Sequence, residues 1–193
     1  MKKTIFTILL SLTLSVGFSQ GSFQEKLSQA AVSIIDKEVK YVSEYVSIPY
    51  PNGDVPAKTG VCTDVVIRTY RKLGIDLQKE VHEDMKKHFS KYPKKWGLKK
   101  PDKNIDHRRV PNLQTFFQRH GKELPISQNS VDYKPGHIVT WMLPGNLPHI
   151  GIVSNMKSKD QKRYLIVHNM GAGQVAEDVL FVYKITGHYK YGK

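Results

Sequence analysis

The chain has 193 residues, 39% of them hydrophobic and 24% charged, with 30 Lys and Arg against 17 Asp and Glu, a formal charge of +13 and one cysteine. This composition is that of a folded domain with a substantial core. A lone cysteine excludes an internal disulfide, and beyond the N-terminal segment no run is apolar enough to cross a membrane as a helix.

Met1-Lys2-Lys3 followed by the apolar run Ile5–Val16 and the small-residue site Gly17-Phe18-Ser19 predicts an export signal cleaved after Ser19. Residues 20–193 are then expected to form a single domain, released to the periplasm or outside the cell, with no cysteine after the apolar run to take a lipid. Without Lys2 and Lys3 the charge falls by two to +11, which favours anionic cell-wall polymers or lipid surfaces as partners. Basic and aromatic residues do not interleave as in a nucleic-acid reader, so no nucleic-acid partner is expected. A monomer is expected.

Phe23, Leu27, Ala31, Ile34 and Val42 recur at helical spacing and predict a helix over 23–45. Ile48 to Pro56 holds three prolines, which remove donors and fix φ, so it reads as a loop. Val61, Val65, Val66, Thr69, Tyr70 and Leu73 mark one face of a helix that Gly74 closes. Cys62 falls in its first turn, where unpaired N–H groups and the helix dipole are expected to lower the thiol pKa from about 8.5. Val81, Met85 and Phe89 predict a short helix, residues 90–110 a polar loop, and Pro111 to Gly121 another helix. Four β-type runs follow: Ile138–Met142, His149–Ser154, Tyr164–Asn169 and Val179–Ile185, the last extending towards Tyr189. Helices first and strands second predict an α+β domain, with the Cys62 helix packed on an antiparallel sheet.

Cysteine nucleophiles need an imidazole to take and return a proton, and a third group to orient that imidazole. His149 opens an apolar strand after a turn, where its ring can face a helix terminus, and His168 and Asn169 end the next strand. Alternation lets only one of those two share the face of His149 without a bulge. A metal site built from His149, His168, Asp178 and His188 is the other reading of the histidines, and it lacks any close ligand spacing.

The order Pro49-Tyr50, Cys62, Pro135-Gly136-His137-Ile138-Val139, His149-Ile150-Gly151-Ile152 and His168 resembles the NlpC-type papain-like cysteine peptidases, which cut peptides or amides of bacterial peptidoglycan. Tyr50-Pro51-Asn52-Gly53-Asp54, Gly60 to Val66, Asn104 to Leu113 and His168-Asn169-Met170-Gly171 look like the domain-of-unknown-function family 1287 within that superfamily. The chain departs from many NlpC-type members in having Val61 before the cysteine and Thr63-Asp64 after it, and His137 in place of an acidic residue. The resemblance implies Cys62 as nucleophile, His149 as base, His168 or Asn169 as the orienting residue, and a peptidoglycan or muropeptide substrate. It implies the Tyr50 hydroxyl as an oxyanion donor and needs no cofactor. Asp64 is taken with the substrate-binding group. Asp106, Arg108 and Arg109 offer either a cradle for substrate carboxylates or a structural pair that fixes their loop. Acyl transfer and wall binding without catalysis are the alternative activities on this fold.

Overall fold

The computed structural model describes residues 21–192, and the predicted export signal and its cleavage point lie outside the described residues. Helix α1 (Phe23–Ser33) begins with a reciprocal cap in which Glu25 N–H donates to the Ser22 hydroxyl and the Glu25 carboxylate accepts from Ser22 N–H. It stops well short of the predicted residue 45. Asp36 instead pairs its backbone with Gln174, N–H to O at 2.8 and 2.9 Å, and this tertiary bridge turns the chain into β1 (Lys40–Tyr41). β1 runs parallel to β2 (Thr59–Gly60), with Tyr41 opposite Gly60.

Helix α2 (Cys62–Lys72) starts where predicted. Its cap residue, Val61, has no side-chain acceptor, so the end is closed by the Asp64 carboxylate accepting from Val61 N–H at 2.7 Å. At the other end Gly74, at φ 78°, donates to Arg71 O while Ile75 N–H donates to Tyr70 O, the double bond pattern that needs a left-handed residue. Helices α3 (Leu77–His88) and α4 (Val110–His120) flank it.

The sheet is six-stranded and antiparallel, in the order β3 (Lys122–Glu123), β8 (Lys184–Lys190), β4 (Ile138–Leu143), β5 (Leu147–Lys157), β6 (Tyr164–His168), β7 (Val175–Glu177). The α+β arrangement read from the sequence is the one observed. The fourth apolar run is displaced, however: strand begins only at Lys184, while Leu180 and its neighbours form a turn that covers the sheet. β7 has no counterpart among the predicted strands, because three residues after the Gly171-Ala172-Gly173 turn carry no readable alternation.

Both faces of the sheet are buried. Ile138, Ile150, Ile152, Val167 and Tyr189 pack against the helices with Val65, Val66, Tyr70 and Phe117. Val139, Trp141, Val153, Ile166 and Ile185 pack under Tyr133 and Leu180 on the far side. Burying a side chain of this size contributes about 1.5–3 kcal/mol, so the two clusters together fix where α2 meets β5. Among the described residues no helix is long and apolar enough to cross a membrane.

Candidate active site

Alternation along β5 puts His149 on the face of its cross-strand partner Trp141 and Ile150 on the helix face. Ladder pairing of β5 with β6 begins at Ile152–Val167, so the preceding residues of β5 touch β6 beyond the paired register. Cys62 is pushed against this part of β5 by α2, and the N–H groups of Ile150, of Thr63 and of Cys62 itself lie around its sulfur. His149 precedes Ile150 and is buried beside Trp141, ring centroids 6.0 Å apart.

His149 Nε2 stands 3.0 Å from His168 Nδ1, with the rings edge to face. Strand register explains the meeting. Ile152 opposes Val167, which sets His168 diagonally across from His149 on the same face. Gly151 lies between them. A Cβ there would sit 2.5 Å from Ile166 Cγ2, 3.0 Å from the Val167 carbonyl oxygen and 3.1 Å from His168 Cβ, so a side chain would force β6 away and part the histidines. Asn169 faces the other way: its amide donates to Gly60 O at 3.4 Å and its carbonyl accepts from Gly171 N–H at 2.9 Å, which places it on the segment leading into Cys62.

The thiol differs from its expected state. Cys62 is only 4% exposed, and burial, reinforced by the Asp64 carboxylate, pushes its pKa up to about 12 against the pull of the surrounding N–H groups. Burial and the neighbouring His168 bring His149 down to about 3. The thiol and the His149 imidazole are therefore each neutral at rest, because desolvation outweighs the helix terminus, which by itself favours a thiolate. Among the described residues no hydrogen bond joins the two side chains; the β5 group that reaches the sulfur is the N–H of Ile150, the residue after His149.

Tyr50, expected at the sulfur, is elsewhere. Its ring packs edge-on against His82 of α3 at 5.2 Å and lies 5.7 Å from the Lys103 ammonium, because the Pro49–Gly53 loop is tied to α3 through Gln78 and Asp76. Tyr41 takes that place: β1 pairing beside Gly60 carries its hydroxyl to the Cys62 side chain, and burial together with Cys62 and Asp64 pushes its pKa up to about 12. The sequence reading misses Tyr41 by extending α1 through it. Glu38, polar and exposed where the helical repeat calls for an apolar residue, is the signal that the helix has ended.

The expected substrate-binding group is also corrected. Asp64 and Arg108 are 3% and 2% exposed and form a two-pronged ion pair at 2.9 and 3.0 Å, so neither side chain is open to a ligand. Asp106 accepts from Asp102 N–H and meets Arg109 at 3.4 Å, and burial raises its carboxyl to about 6. Arg109 lies over the Trp96 ring at 4.2 Å. Of the two readings of this segment, the loop-fixing one describes these contacts. The metal reading disperses as well: Asp178 pairs with Arg163 and His188 with His137 at 2.7 Å, away from the His149–His168 pair.

A concavity of about 610 Å³ lined by Ile34, Asp36, Asp54, Arg68 and Gln174 includes none of Cys62, His149 and His168, whose site is closed in this conformation.

The fold and this site define an α+β protein with a buried thiol at the start of α2, against the Ile150 N–H of β5, and a pair of hydrogen-bonded histidines on β5 and β6. Residues 28–191 match the model of the domain of unknown function DUF1287, and the chain belongs to that family. It is 52% identical over 165 residues to the uncharacterized protein YijF of Escherichia coli (strain K12), a match covering 86% of this chain and 80% of that one. A structural likeness to NlpC1 from Trichomonas vaginalis has a TM-score of 0.47 at 14% identity and covers 90% of this chain but 46% of the other.

Proposed function

We propose that the protein is an exported cysteine hydrolase that cleaves an amide bond in peptidoglycan or a related cell-wall peptide. The observation that carries this reading is the 3.0 Å contact between His149 and His168 at the strand end against which Cys62 is packed. His149 Nδ1 takes the thiol proton, the sulfur adds to the carbonyl carbon, and the imidazolium returns the proton to the departing amine. Water, activated by the same nitrogen, then releases the acyl group as a carboxylic acid. The N–H groups at the start of α2 and the Tyr41 hydroxyl are the donors for the oxyanion.

Since the resting thiol is neutral and closed in, substrate binding has to open the site and supply the dry, oriented setting in which the proton moves. Cys62→Ala is expected to reduce release of fragments from defined muropeptides to background, read by mass spectrometry, while far-UV circular dichroism stays native. Undiminished hydrolysis by that variant would sink the reading. Tyr41→Phe is expected to lower kcat roughly a hundredfold with little change in KM; a change in KM alone would remove Tyr41 from the oxyanion role.

The deep burial of Cys62 favours a second reading, a wall-binding module without catalysis. Binding of peptidoglycan unaffected by Cys62→Ala, with no product from the unaltered protein, is its signature. Acyl transfer to an amine in place of water is separated from hydrolysis by product mass.

A further inference from the structure

The role of His149 depends on which of its nitrogens holds a proton, and His168 decides that. His168 is fully buried, and Nε2, the nitrogen turned away from His149, has no aligned hydrogen-bond partner among the described residues. The Glu177 carboxylate stands 3.0 Å from it. Glu177 lies on β7 opposite Ile166, so it shares the sheet face of His168 one step along the ladder, and its side chain is 44% exposed, free to rotate into line.

Burial lowers the pKa of His168, and with His168 neutral only one proton arrangement satisfies all three groups. A carboxylate and a bare imidazole nitrogen at 3.0 Å would be two acceptors facing each other, so Nε2 of His168 must hold the proton. In neutral His168 the Nδ1 is then a lone pair, and His149 must donate to it from Nε2–H. That leaves the lone pair of His149 on Nδ1. With the opposite tautomer at His168, His149 would carry its proton on Nδ1 and could not accept one from a thiol.

We propose that Glu177 is a positioning residue that holds His168, and through it His149, in the tautomers that leave the His149 Nδ1 lone pair free to receive the Cys62 proton. The catalytic consequence rests on the hydrolase reading above, whereas the tautomer assignment stands on the two contacts of His168 and its full burial. During the reaction no proton passes along the relay: His149 becomes doubly protonated and gives up the Nδ1 proton to the leaving amine, its Nε2–H stays bonded to His168 Nδ1, and Glu177 keeps Nε2–H of His168 in place.

The test is long-range proton–nitrogen NMR on protein labelled with ¹⁵N-histidine, at neutral pH, for the unaltered chain, Glu177→Gln and Glu177→Leu. In the unaltered chain both histidines are expected to be protonated at Nε2. Glu177→Gln, whose amide oxygen still accepts, retains this pattern, while Glu177→Leu admits the Nδ1–H form of His168. On muropeptides Glu177→Leu is expected to lower kcat roughly ten- to a hundredfold, as loss of an outer partner of a functional histidine does, with KM held and Glu177→Gln near the unaltered rate. Finding His168 or His149 protonated at Nδ1 in the unaltered chain overturns the proposal without recourse to any variant, as does an unchanged pattern in a folded Glu177→Leu. If the tautomers respond to Glu177 but no variant, nor the unaltered chain, cleaves muropeptides, the positioning role holds and the hydrolase reading falls.

Discussion

Arg108→Ala is expected to destabilise the protein by about 3–5 kcal/mol, the range for removing one partner of a buried ion pair. The Asp64 carboxylate is 3% exposed and accepts from Arg108 Nε, from Arg108 Nη2 and from Val61 N–H. Without the guanidinium, a buried charge would keep one backbone donor, Val61 N–H, and lose its counter-ion. The loss falls at a sensitive place: this carboxylate closes the first turn of α2, and the Thr63 hydroxyl donates to Arg108 O at 3.1 Å, so the same contacts hold the residue before and the residue after Cys62. The double variant Asp64→Asn with Arg108→Met is expected to recover most of the stability, because the penalty comes from the unpaired charge and not from missing attraction. Urea denaturation of the two single variants and the double variant measures both effects. A loss below about 1 kcal/mol for Arg108→Ala, the scale of an exposed pair, would mean that water reaches the site.

Acid is expected to unfold the protein at a pH where most domains of this size still hold. Burial is the largest cause of low pKa values at His107 and His149, each about 3, and at His137, about 4; Arg108 lowers His107 further, His168 lowers His149 and His188 lowers His137. The folded state thus binds these protons more weakly than the unfolded state, whose histidines titrate near 6.5. Their stabilisation is complete above that value and is lost as pH falls through the window from 6.5 towards 3. At pH 4.5 each would cost about 2–3 kcal/mol. Asp106 acts in the opposite sense: its folded pKa near 6 lies above the unfolded value, so it gains on protonation and offsets about 2 kcal/mol at the same pH. From these four groups together the loss is roughly 5 kcal/mol, comparable to the whole stability of a domain. Circular dichroism and tryptophan fluorescence followed from pH 7 downward should show cooperative unfolding between about pH 5 and pH 4. A structure intact at pH 4 would mean that these histidines are solvated.

Local period and backbone chemistry encode the features that are legible in the sequence. Cys62 at the start of α2 follows from a Pro/Gly loop giving way to apolar residues at helical spacing, and Gly74 marks its end because only a residue tolerant of positive φ closes a helix that way. Period-two alternation confines the partner of His149 to His168 or Asn169, and the β5–β6 register chooses His168.

Other expectations fail for one reason: they concern distances between elements far apart in the chain. The predicted helix over 23–45 ends at Ser33 because Gln174, far away in sequence, claims the backbone of Asp36. Tyr50 and Tyr41 are both tyrosines upstream of Cys62, and only the pairing of β1 with β2 brings one of them to the sulfur. Asp64 and Arg108, taken from the sequence with the substrate-binding residues, are 44 positions apart and nothing local shows that they bury each other, and Glu177 sits in a strand too short to show alternation.

Sequence alone determined the class of the protein, the nucleophile candidate and the order of its histidines, since side-chain identity and backbone period are local properties. The tertiary structure decided which tyrosine meets the thiol, which carboxylate stands beside His168, and that the Cys62 thiol and the His149 imidazole rest uncharged. Those outcomes depend on desolvation and on contacts summed over the whole packed molecule, which no short window of residues carries.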